Sequence, residues 1–376
     1  MTIYVVKRGD SLWGIGRRYG ITPDVIARVN QLSDPARLPI GLALVIPTEG
    51  DAPVSAIEAN GYAYPGINAD VLSETLPYLT FLCPFSFRAA KDGSLVPIED
   101  QRLITAAYAG GAAPMLTVTN IADTGFSSDT AHAILTDSAA QEKFISAVLA
   151  VLRARNYYGL NIDFEYVYPF DRVSYNQFIA RMGETLHSLG YYFITTIAPK
   201  ESDDQPGLLY EAHDYAAHGR YADRVIIMTY EWGYTYSPPQ AVSPVNRIRS
   251  VLDYAVSKMP SGKILMGFSN YGYSWALPWR QGDAAKVVSN AGAVDLSASV
   301  YAEIKFDELS QAVHFNYTDA AGARREVWFE DPRSWKARLR LIGEYGLAGM
   351  SLWTTNRLYR PGLAVLESMY SVEKII

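Results

Sequence analysis

Two carboxylic acids stand two residues apart at the end of an apolar segment, and this spacing suggests acid–base chemistry. The segment spans residues 158–165 and reads Tyr-Gly-Leu-Asn-Ile-Asp-Phe-Glu. Alternate residues of a β-strand share a face, so Asn161, Asp163 and Glu165 would line one side of it. Burying an unpaired carboxylate is costly. Two carboxyls on one face can instead divide into a protonated acid and an ionised partner. The alternative is a strand end whose acids bond to neighbouring loops.

This octapeptide resembles the signature Asp-x-x-Asp-x-Asp-x-Glu of the family 18 glycoside hydrolases. Tyr158 and Asn161 stand at its first two acidic positions, and Asp163 and Glu165 keep the last two. The resemblance implies that Glu165 donates the proton to the leaving sugar, while Asp163 orients the substrate's acetamide and Asn161 lies beside it. In this family the 2-acetamido group of the substrate is the nucleophile. The resemblance therefore implies a retaining reaction without a metal or organic cofactor.

A second apolar segment, residues 225–231, reads Val-Ile-Ile-Met-Thr-Tyr-Glu and also ends in polar side chains. It resembles the Met-x-Tyr-Asp strand of the same family, with Glu231 in place of the aspartate. By this match Tyr230 would hydrogen-bond the acetamide oxygen, and Met228 would line the floor of the pocket. Taken alone, the segment is better explained as a core strand that ends in a tyrosine, and the functional interpretation depends on the other motifs.

Aromatic and amide side chains at other strand ends complete the predicted cleft. Residues 349–353 end in Trp353, and in the family such a tryptophan lies beneath the sugar that is cleaved. Tyr62 is one of several tyrosines near predicted strand ends, where an amphipathic ring suits a carbohydrate. Asn120 and Asn270 follow the third and seventh predicted strands. Each of these asparagines would either face the cleft or close a turn.

Residues 1–47 read as a separate small module. The pattern predicts a strand near residues 3–6, a helix from Leu12 to Gly20, a second helix opened by Thr22 and Pro23, and a strand near residues 43–46. This order resembles a LysM repeat, a module that binds glycans containing N-acetylglucosamine. The match places a sugar groove between two loops, at Gly9, Asp10, Ser11, Leu12, Leu38 and Ile40. The alternative is a small adaptor domain without a glycan role.

Charge and composition exclude several classes of function. The net charge of −6 argues against nucleic acid as a partner. Residues 1–47 carry six basic and three acidic side chains, which fits an anionic wall polymer, although a solvated surface explains it as well. The single Cys83 excludes an intrachain disulfide, and the five histidines show no metal-ligand spacing. We see no membrane-spanning segment and no secretory signal, so we expect neither a membrane partner nor a visible export route.

From about residue 54 onward apolar strand patterns alternate with helical ones. We place strands near 56–62, 78–87, 113–119, 158–165, 191–197, 223–230, 263–269 and 347–353, and the clearest helices at 138–155, 171–189, 243–258 and 333–345. Eight such units predict an α/β fold of the (β/α)₈ barrel type. Active sites of such barrels lie at the carboxyl ends of the strands, where the acidic and aromatic residues fall. We expect a linker at residues 48–53 and the barrel over residues 54–376.

The connection between the seventh and eighth predicted strands is too long for a simple helix. It spans residues 270–346, and residues 312–317 and 324–329 within it resemble the two strands of a hairpin. We therefore expect a small α+β insertion at about residues 275–330. Family 18 enzymes often carry such an insertion as one wall of the cleft.

A LysM module followed by a family 18 barrel is similar to the spore cortex-lytic N-acetylglucosaminidases of endospore formers. The resemblance implies hydrolysis after N-acetylglucosamine in peptidoglycan, by a monomer located at the spore coat, the cortex or the cell wall. Those enzymes commonly carry two LysM repeats, whereas this sequence shows one. Two alternatives stay open: a chitinase, and a glycan-binding protein without activity, although such proteins usually lack the donor glutamate.

Overall fold

The computed structural model describes residues 1–48, 53 and 55–376. The chain begins with a small module of two antiparallel strands and two helices, at Thr2–Val5, Leu12–Tyr19, Pro23–Val29 and Ala43–Ile46. The first helix begins where the Ser11 hydroxyl accepts a hydrogen bond from the Gly14 N–H, at 3.1 Å, and it ends at Gly20 in a left-handed conformation. Both ends agree with the sequence prediction.

A buried asparagine joins the second helix of the module to its last strand. The Asn30 side-chain amide donates to the carbonyls of Ile26 and Val45, each at 2.8 Å. Its oxygen accepts from the Val45 N–H at 2.7 Å. One side chain thus satisfies three main-chain groups that would otherwise be buried without partners.

The main body is a closed barrel of eight parallel strands, which confirms the predicted (β/α)₈ fold. Its strands are Ser55–Ala63, Phe81–Pro84, Ala113–Thr119, Gly159–Asp163, Tyr192–Ile197, Arg224–Ile227, Ile264–Ser269 and Gly349–Trp353. Each strand pairs with its neighbours, and the fourth pairs with the third to close the ring. Outward-facing apolar side chains pack under the helices, while a smaller apolar cluster and several polar groups fill the interior.

Helices surround this barrel. They span Ala69–Thr75, Gln101–Ala109, Ser128–Thr136, Ser138–Arg155, Arg172–Ser188, Tyr215–Tyr221, Val245–Lys258, Pro332–Tyr345 and Arg360–Met369. The four helices placed from the sequence are present, with ends that differ by at most two residues. Their apolar stripes explain this agreement. On Ser138–Arg155, for example, Phe144, Val148 and Leu152 are all buried against the sheet.

Several barrel strands are shorter than the apolar runs predicted. The fourth ends at Asp163 and the sixth at Ile227, rather than at residues 165 and 230. Beyond Ile227 the N–H groups of Thr229 and Tyr230 donate to carbonyls only two residues back, so the chain turns out of the sheet. The polar residues of the predicted site therefore lie just past the last ladder hydrogen bonds, where their side chains turn toward the cleft.

The predicted insertion is a five-stranded antiparallel sheet with one helix. Its elements are Tyr271–Leu277, Lys286–Ser289, Asn290–Ser299, Lys305–Asp307, Ala312–Thr318 and Arg324–Phe329. The hairpin expected at residues 312–317 and 324–329 is formed by the last two strands. The sheet begins at Tyr271, four residues earlier than expected, because its first strand follows the seventh barrel strand with only Asn270 between them.

The N-terminal module packs against the insertion and against the last two helices, Pro332–Tyr345 and Arg360–Met369. Ile304 of the insertion donates its N–H to the carbonyl of Ile40, at 2.9 Å. The Arg333 guanidinium donates to the Gly41 carbonyl at 3.1 Å. A Cβ on Gly41 would lie 1.9 Å from the Ile304 oxygen, so only glycine allows this approach. Of the predicted linker, residues 49–52 lie outside the described residues.

No helix among the described residues combines the length and apolarity needed to cross a bilayer.

Candidate active site

Asp163 and Glu165 lie at the carboxyl end of the fourth barrel strand, as the strand period predicted. Asp163 is 4% exposed, and its Oδ1 atom has no hydrogen-bond partner among the described residues. Burial raises the pKa of Asp163. The pKa of Glu165 is also raised well above its usual range, first by burial and then by the negative charges of Asp163 and Glu231. Two neighbouring carboxyls that both resist ionisation favour a state in which one holds a proton and the other does not.

Asn120 forms hydrogen bonds with both the N–H and the carbonyl of Glu165. Its side-chain amide donates to the Glu165 carbonyl at 2.8 Å and to the Ser127 carbonyl at 3.0 Å. Its oxygen accepts from the Glu165 N–H at 2.9 Å. The sequence placed Asn120 among the substrate-binding residues. In the structure it is fully buried, and its polar atoms are engaged by the main chain. It thereby replaces the ladder hydrogen bonds that stop at Asp163.

A histidine that no sequence motif indicated bonds to the main chain next to Glu165. His213 is buried, accepts from the Ala198 N–H at Nδ1 and donates from Nε2 to the Phe164 carbonyl, each at 3.0 Å. Burial lowers the pKa of His213 to about 4, so the ring is neutral near pH 7 and keeps one donor and one acceptor. Its partner Phe164 lies 49 residues away in sequence. No local sequence motif therefore predicts this contact.

Asn161 and Tyr62 lie beneath the carboxyl pair, inside the barrel. The Asn161 amide donates to the Tyr62 oxygen at 2.8 Å, and Thr196 donates to the Asn161 oxygen at 3.1 Å. The hydroxyls of Tyr62 and Thr196 are 2.7 Å apart. Asn161 is fully buried and Tyr62 is 1% exposed. Both predicted cleft residues therefore form a polar layer under the site, which is closed to solvent.

The sixth strand brings Met228, Tyr230 and Glu231 to the same end of the barrel. Met228 and Tyr230 are each 9% exposed, and the Tyr230 hydroxyl makes no hydrogen bond to another described residue. Burial raises the pKa of Tyr230, with a further contribution from the nearby carboxylates, Asp163 first. This phenol is thus a neutral donor whose proton is available to a ligand.

Glu231 has a positive φ of 66° and turns its carboxylate toward the insertion. Tyr271 donates to Oε1, and the Tyr273 hydroxyl lies 2.9 Å from Oε1 and 3.1 Å from Oε2. Burial raises the pKa of Glu231, although these two hydroxyls and Arg357 oppose the shift. Tyr271 and Tyr273 are among the tyrosines that the sequence places near strand ends, but their bonds to Glu231 were not predicted, because both belong to the insertion.

Trp353 lies partly exposed at the end of the eighth strand, within a group of aromatic rings. The rings of Tyr62, Tyr64 and Phe85 meet it edge to face, with centroids 5.4, 5.9 and 4.7 Å away. This packing fixes the indole plane and leaves part of its face open to the cleft. Asn270 is buried behind this region, where its amide donates to the carbonyls of Thr354 and Arg357. The sequence allowed Asn270 either to face the cleft or to close a turn, and in the structure it closes a turn.

A cavity of about 440 Å³ adjoins Trp353 and Glu231. Its walls come from the barrel and from the insertion, and they consist of Tyr64, Glu231, Tyr271, Tyr273, Val287, Trp353, Thr354, Asn356 and Arg357. Among the described residues no group of three metal-ligating side chains is present. The arrangement therefore provides two poised carboxyls, a phenol donor and an aromatic face beside a polar cavity. These are the groups needed to bind a sugar and transfer a proton to its glycosidic oxygen.

The predicted groove residues of the N-terminal module are only partly accessible. Gly9 and Ser11 are exposed, and Asp10 bonds within its own loop, accepting from the Tyr4 hydroxyl at 2.7 Å and the Lys7 N–H at 2.8 Å. Leu12 is buried in the core of the module, and Leu38 is half-buried. The carbonyl of Ile40 is already bonded by the insertion. The accessible part of the groove is thus its first loop.

Comparison with known proteins agrees with this arrangement. The LysM domain model matches residues 4–47, and the model of glycosyl hydrolases family 18 matches residues 120–357. A cortical fragment-lytic enzyme of Bacillus subtilis is 39% identical, over 100% of this chain and 99% of the relative. Its counterpart in Bacillus anthracis is 38% identical over 99% of both chains. The crystal structure of the Bacillus cereus spore cortex-lytic enzyme SleL has a TM-score of 0.93 and 35% identity, covering 99% of each chain. The similarity extends over the module and the barrel alike.

Proposed function

The chain belongs to the family 18 glycosyl hydrolases, and from this membership we propose that it hydrolyses spore cortex peptidoglycan after N-acetylglucosamine. The observation that carries the proposal is the pair Asp163 and Glu165, whose pKa values are both raised, beside an unengaged Tyr230 hydroxyl and the face of Trp353. The full-length relatives named as cortical fragment-lytic enzymes supply the choice of substrate.

The first half of the reaction forms a ring on the sugar itself. Trp353 lies beneath the N-acetylglucosamine, and the Tyr230 hydroxyl donates to its acetamide oxygen. Asp163 accepts from the acetamide N–H, which makes that oxygen a better nucleophile. Glu165 gives its proton to the glycosidic oxygen as the acetamide oxygen attacks the anomeric carbon, so the aglycone leaves and an oxazolinium ion forms.

The second half opens that ring with water. Glu165, now ionised, takes a proton from a water molecule that attacks the anomeric carbon. The ring opens, the acetamide is restored, and the product keeps the configuration of the substrate. Because the nucleophile belongs to the substrate, the reaction requires no metal or organic cofactor, and the sugar that is cleaved must carry a 2-acetamido group.

The test compares the wild type with Glu165→Gln on purified cortex fragments and on chitin oligomers. Glutamine keeps the shape of the side chain but cannot donate the proton, so we expect kcat to fall at least about 100-fold. Glu184→Gln is the matched control, since Glu184 is exposed on the helix Arg172–Ser188. Product mass and reducing-end identity provide the measurement.

Each outcome assigns a function. New N-acetylglucosamine reducing ends from cortex fragments, absent with Glu165→Gln, would support the proposal. Turnover of chitin oligomers alone would make the protein a chitinase. Binding without turnover of either glycan would make it a glycan-binding protein and would contradict the mechanism.

We also infer that the N-terminal module retains the enzyme on wall glycan containing N-acetylglucosamine, and that the enzyme acts as a monomer. The LysM match and the exposed Trp13, at 64%, support retention through the first loop and the helix that follows it. Sedimentation with insoluble cortex, with and without Trp13→Ala, tests retention. Light scattering in solution gives the molar mass and so tests whether the enzyme is a monomer.

A further inference from the structure

The cavity beside Trp353 contains an arginine to which none of the steps above assigns a role. Arg357 follows the eighth strand and is half-buried in the cavity wall. Among the described residues, no carboxylate lies within 4.0 Å of its guanidinium. The contact that holds it is aromatic: its guanidinium carbon lies 5.3 Å from the centre of the Tyr271 ring. An arginine stacked in this way keeps the edge of its planar fork available for an anion or a carbonyl.

The acidic group of this cavity does not occupy that fork. Glu231 is bonded instead by the hydroxyls of Tyr271 and Tyr273. Tyr271 thus serves both groups, because its hydroxyl binds the carboxylate and its ring supports the guanidinium. The cavity consequently presents a cation and a carboxylate as separate binding groups. A ligand with an acidic or carbonyl substituent next to sugar hydroxyls would complement both of them.

The glycan chemistry supplies such a substituent. Chitin is a neutral polymer of N-acetylglucosamine, whereas peptidoglycan alternates N-acetylglucosamine with muramic residues that carry a lactyl ether. The lactyl group ends in a free carboxyl in peptide-free strands and in an amide carbonyl where a peptide or a lactam is formed. In the alternating polymer both neighbours of the cleaved N-acetylglucosamine are muramic residues. Any subsite next to the reaction centre therefore meets a lactyl group, whichever side of the scissile bond it lies on.

We propose that Arg357 binds the lactyl carboxyl of the muramic residue next to the cleaved N-acetylglucosamine, and so makes the enzyme prefer peptidoglycan to chitin. The inference rests on the proposed function, since it concerns the substrate of the same site. In peptide-free strands the bond is a charge-assisted pair between the planar fork and two carboxyl oxygens, and in an amide the single carbonyl oxygen accepts from the fork. Tyr271 keeps the fork in position for it.

The experiment measures kcat/KM for two soluble glycans: peptide-free strands of alternating N-acetylglucosamine and N-acetylmuramic acid, and a chitin hexamer. We expect Arg357→Met to lower the ratio of the first constant to the second by roughly 10- to 100-fold, which is the size of a lost charged hydrogen bond. The change should appear mainly in KM for the alternating strands. Added salt should raise that KM for the wild type more than for the variant.

Two variants control for charge and shape. Arg357→Lys keeps the charge but loses the fork, so its ratio should fall between those of the wild type and Arg357→Met. Arg153→Met makes the same chemical change on an exposed arginine in the last turn of the helix Ser138–Arg155, away from the cavity. Its ratio should match the wild type. Thermal unfolding of every variant shows that each is folded.

Equal losses on the two glycans after Arg357→Met would overturn the inference and make Arg357 a support for Glu231. An unchanged ratio would overturn it as well, while wild-type cleavage of the alternating strands would leave the proposed function standing. Wild-type enzyme that cuts chitin but no alternating strands would overturn both, so the two failures are distinguishable.

Discussion

The LysM module and the barrel each contain a buried asparagine that bonds three main-chain groups, and the two asparagines differ in what they hold. Asn30 joins a helix to a strand within the module. Asn120 joins the third barrel strand to the peptide that carries Glu165. The same chemistry therefore serves stability in one region and the placement of a reactive group in the other. The role of such a residue follows from its partner rather than from its own type.

The acidic residues of the two regions show the same contrast. Donors from the Lys7 main chain and the Tyr4 hydroxyl lower the pKa of Asp10, which stays ionised and structural. Burial raises the pKa of Asp163, whose Oδ1 atom lacks a donor among the described residues. A carboxyl at the surface of the module is stabilised as an anion. A carboxyl in the barrel is buried in surroundings that oppose its ionisation.

Removing the asparagine that places Glu165 should have the largest effect in this comparison. We expect Asn120→Ala to lower kcat by roughly 10- to 100-fold, because a small displacement of a catalytic group is costly. KM for soluble cortex fragments should change little, since Asn120 is closed off from the cleft. Steady-state rates on folded protein measure both constants. A normal kcat would show that the remaining contacts, among them His213, place Glu165 without Asn120.

The pH profile should report the raised pKa of the acid. In the proposed mechanism Glu165 works in its protonated form, so we expect activity to persist to a higher pH than an ordinary glutamate would allow and to be lost as the pH rises through the raised pKa. Removing the negative charge at Glu231 should lower the pKa of Glu165. The alkaline limb of kcat for Glu231→Gln should therefore shift to lower pH. An unmoved limb would mean that another group titrates there.

The matched change in the module should affect stability instead of chemistry. We expect Asn30→Ala to destabilise the module by about 1–3 kcal/mol, because it leaves buried main-chain groups without partners. Its kcat on soluble fragments should equal that of the wild type, whereas retention on insoluble cortex should fall. Differential scanning calorimetry and sedimentation separate the two effects. A loss of kcat comparable with that of Asn120→Ala would remove the distinction between the two regions.

The smallest effect should come from Asp10. A carboxyl whose pKa is lowered on folding adds stability above its unfolded pKa, and this contribution disappears as the pH falls through the folded pKa. Asp10→Asn should therefore cost less than about 1 kcal/mol at pH 7, because partly exposed charges contribute little. The difference from wild type should vanish in acid. Urea unfolding at pH 7 and pH 3 measures it.

The fold and the positions of the two neighbouring carboxyls could be predicted because their signals are local. A period of two places Asp163 and Glu165 on one face of a strand, and apolar runs mark eight strands. The asparagines whose roles the sequence left open or placed in the cleft, Asn161, Asn120 and Asn270, have partners that lie far away in sequence. Asn161 meets Tyr62 across 99 residues, and Asn270 meets Thr354 across 84. An amide can serve a substrate or the main chain, and only the tertiary structure decides which.

Strand ends were misplaced for a related reason. Residues 164 and 165 continue the apolar alternation, but their main-chain groups bond to His213 and Asn120 instead of to neighbouring strands. Sequence patterns record which side chains are buried, whereas a strand ends where its main chain changes partners. The bonds from Tyr271 and Tyr273 to Glu231 were not predicted because the insertion supplies these tyrosines, and no motif connects the insertion to the cleft.

Under the proposed retention by the LysM module, its docking on the insertion would determine how the enzyme moves over a wall. Hydrogen bonds from Ile304 and Arg333 fix the module relative to the barrel. The distance between a sugar bound to the module and the bond cleaved in the barrel is therefore constant. While the anchor is seated, the cleft reaches only bonds at that offset. Digestion of an intact wall would then proceed in separate steps, and the dissociation rate of the module from the glycan would limit the rate of each step. Cleavage of short soluble fragments would not depend on that dissociation rate.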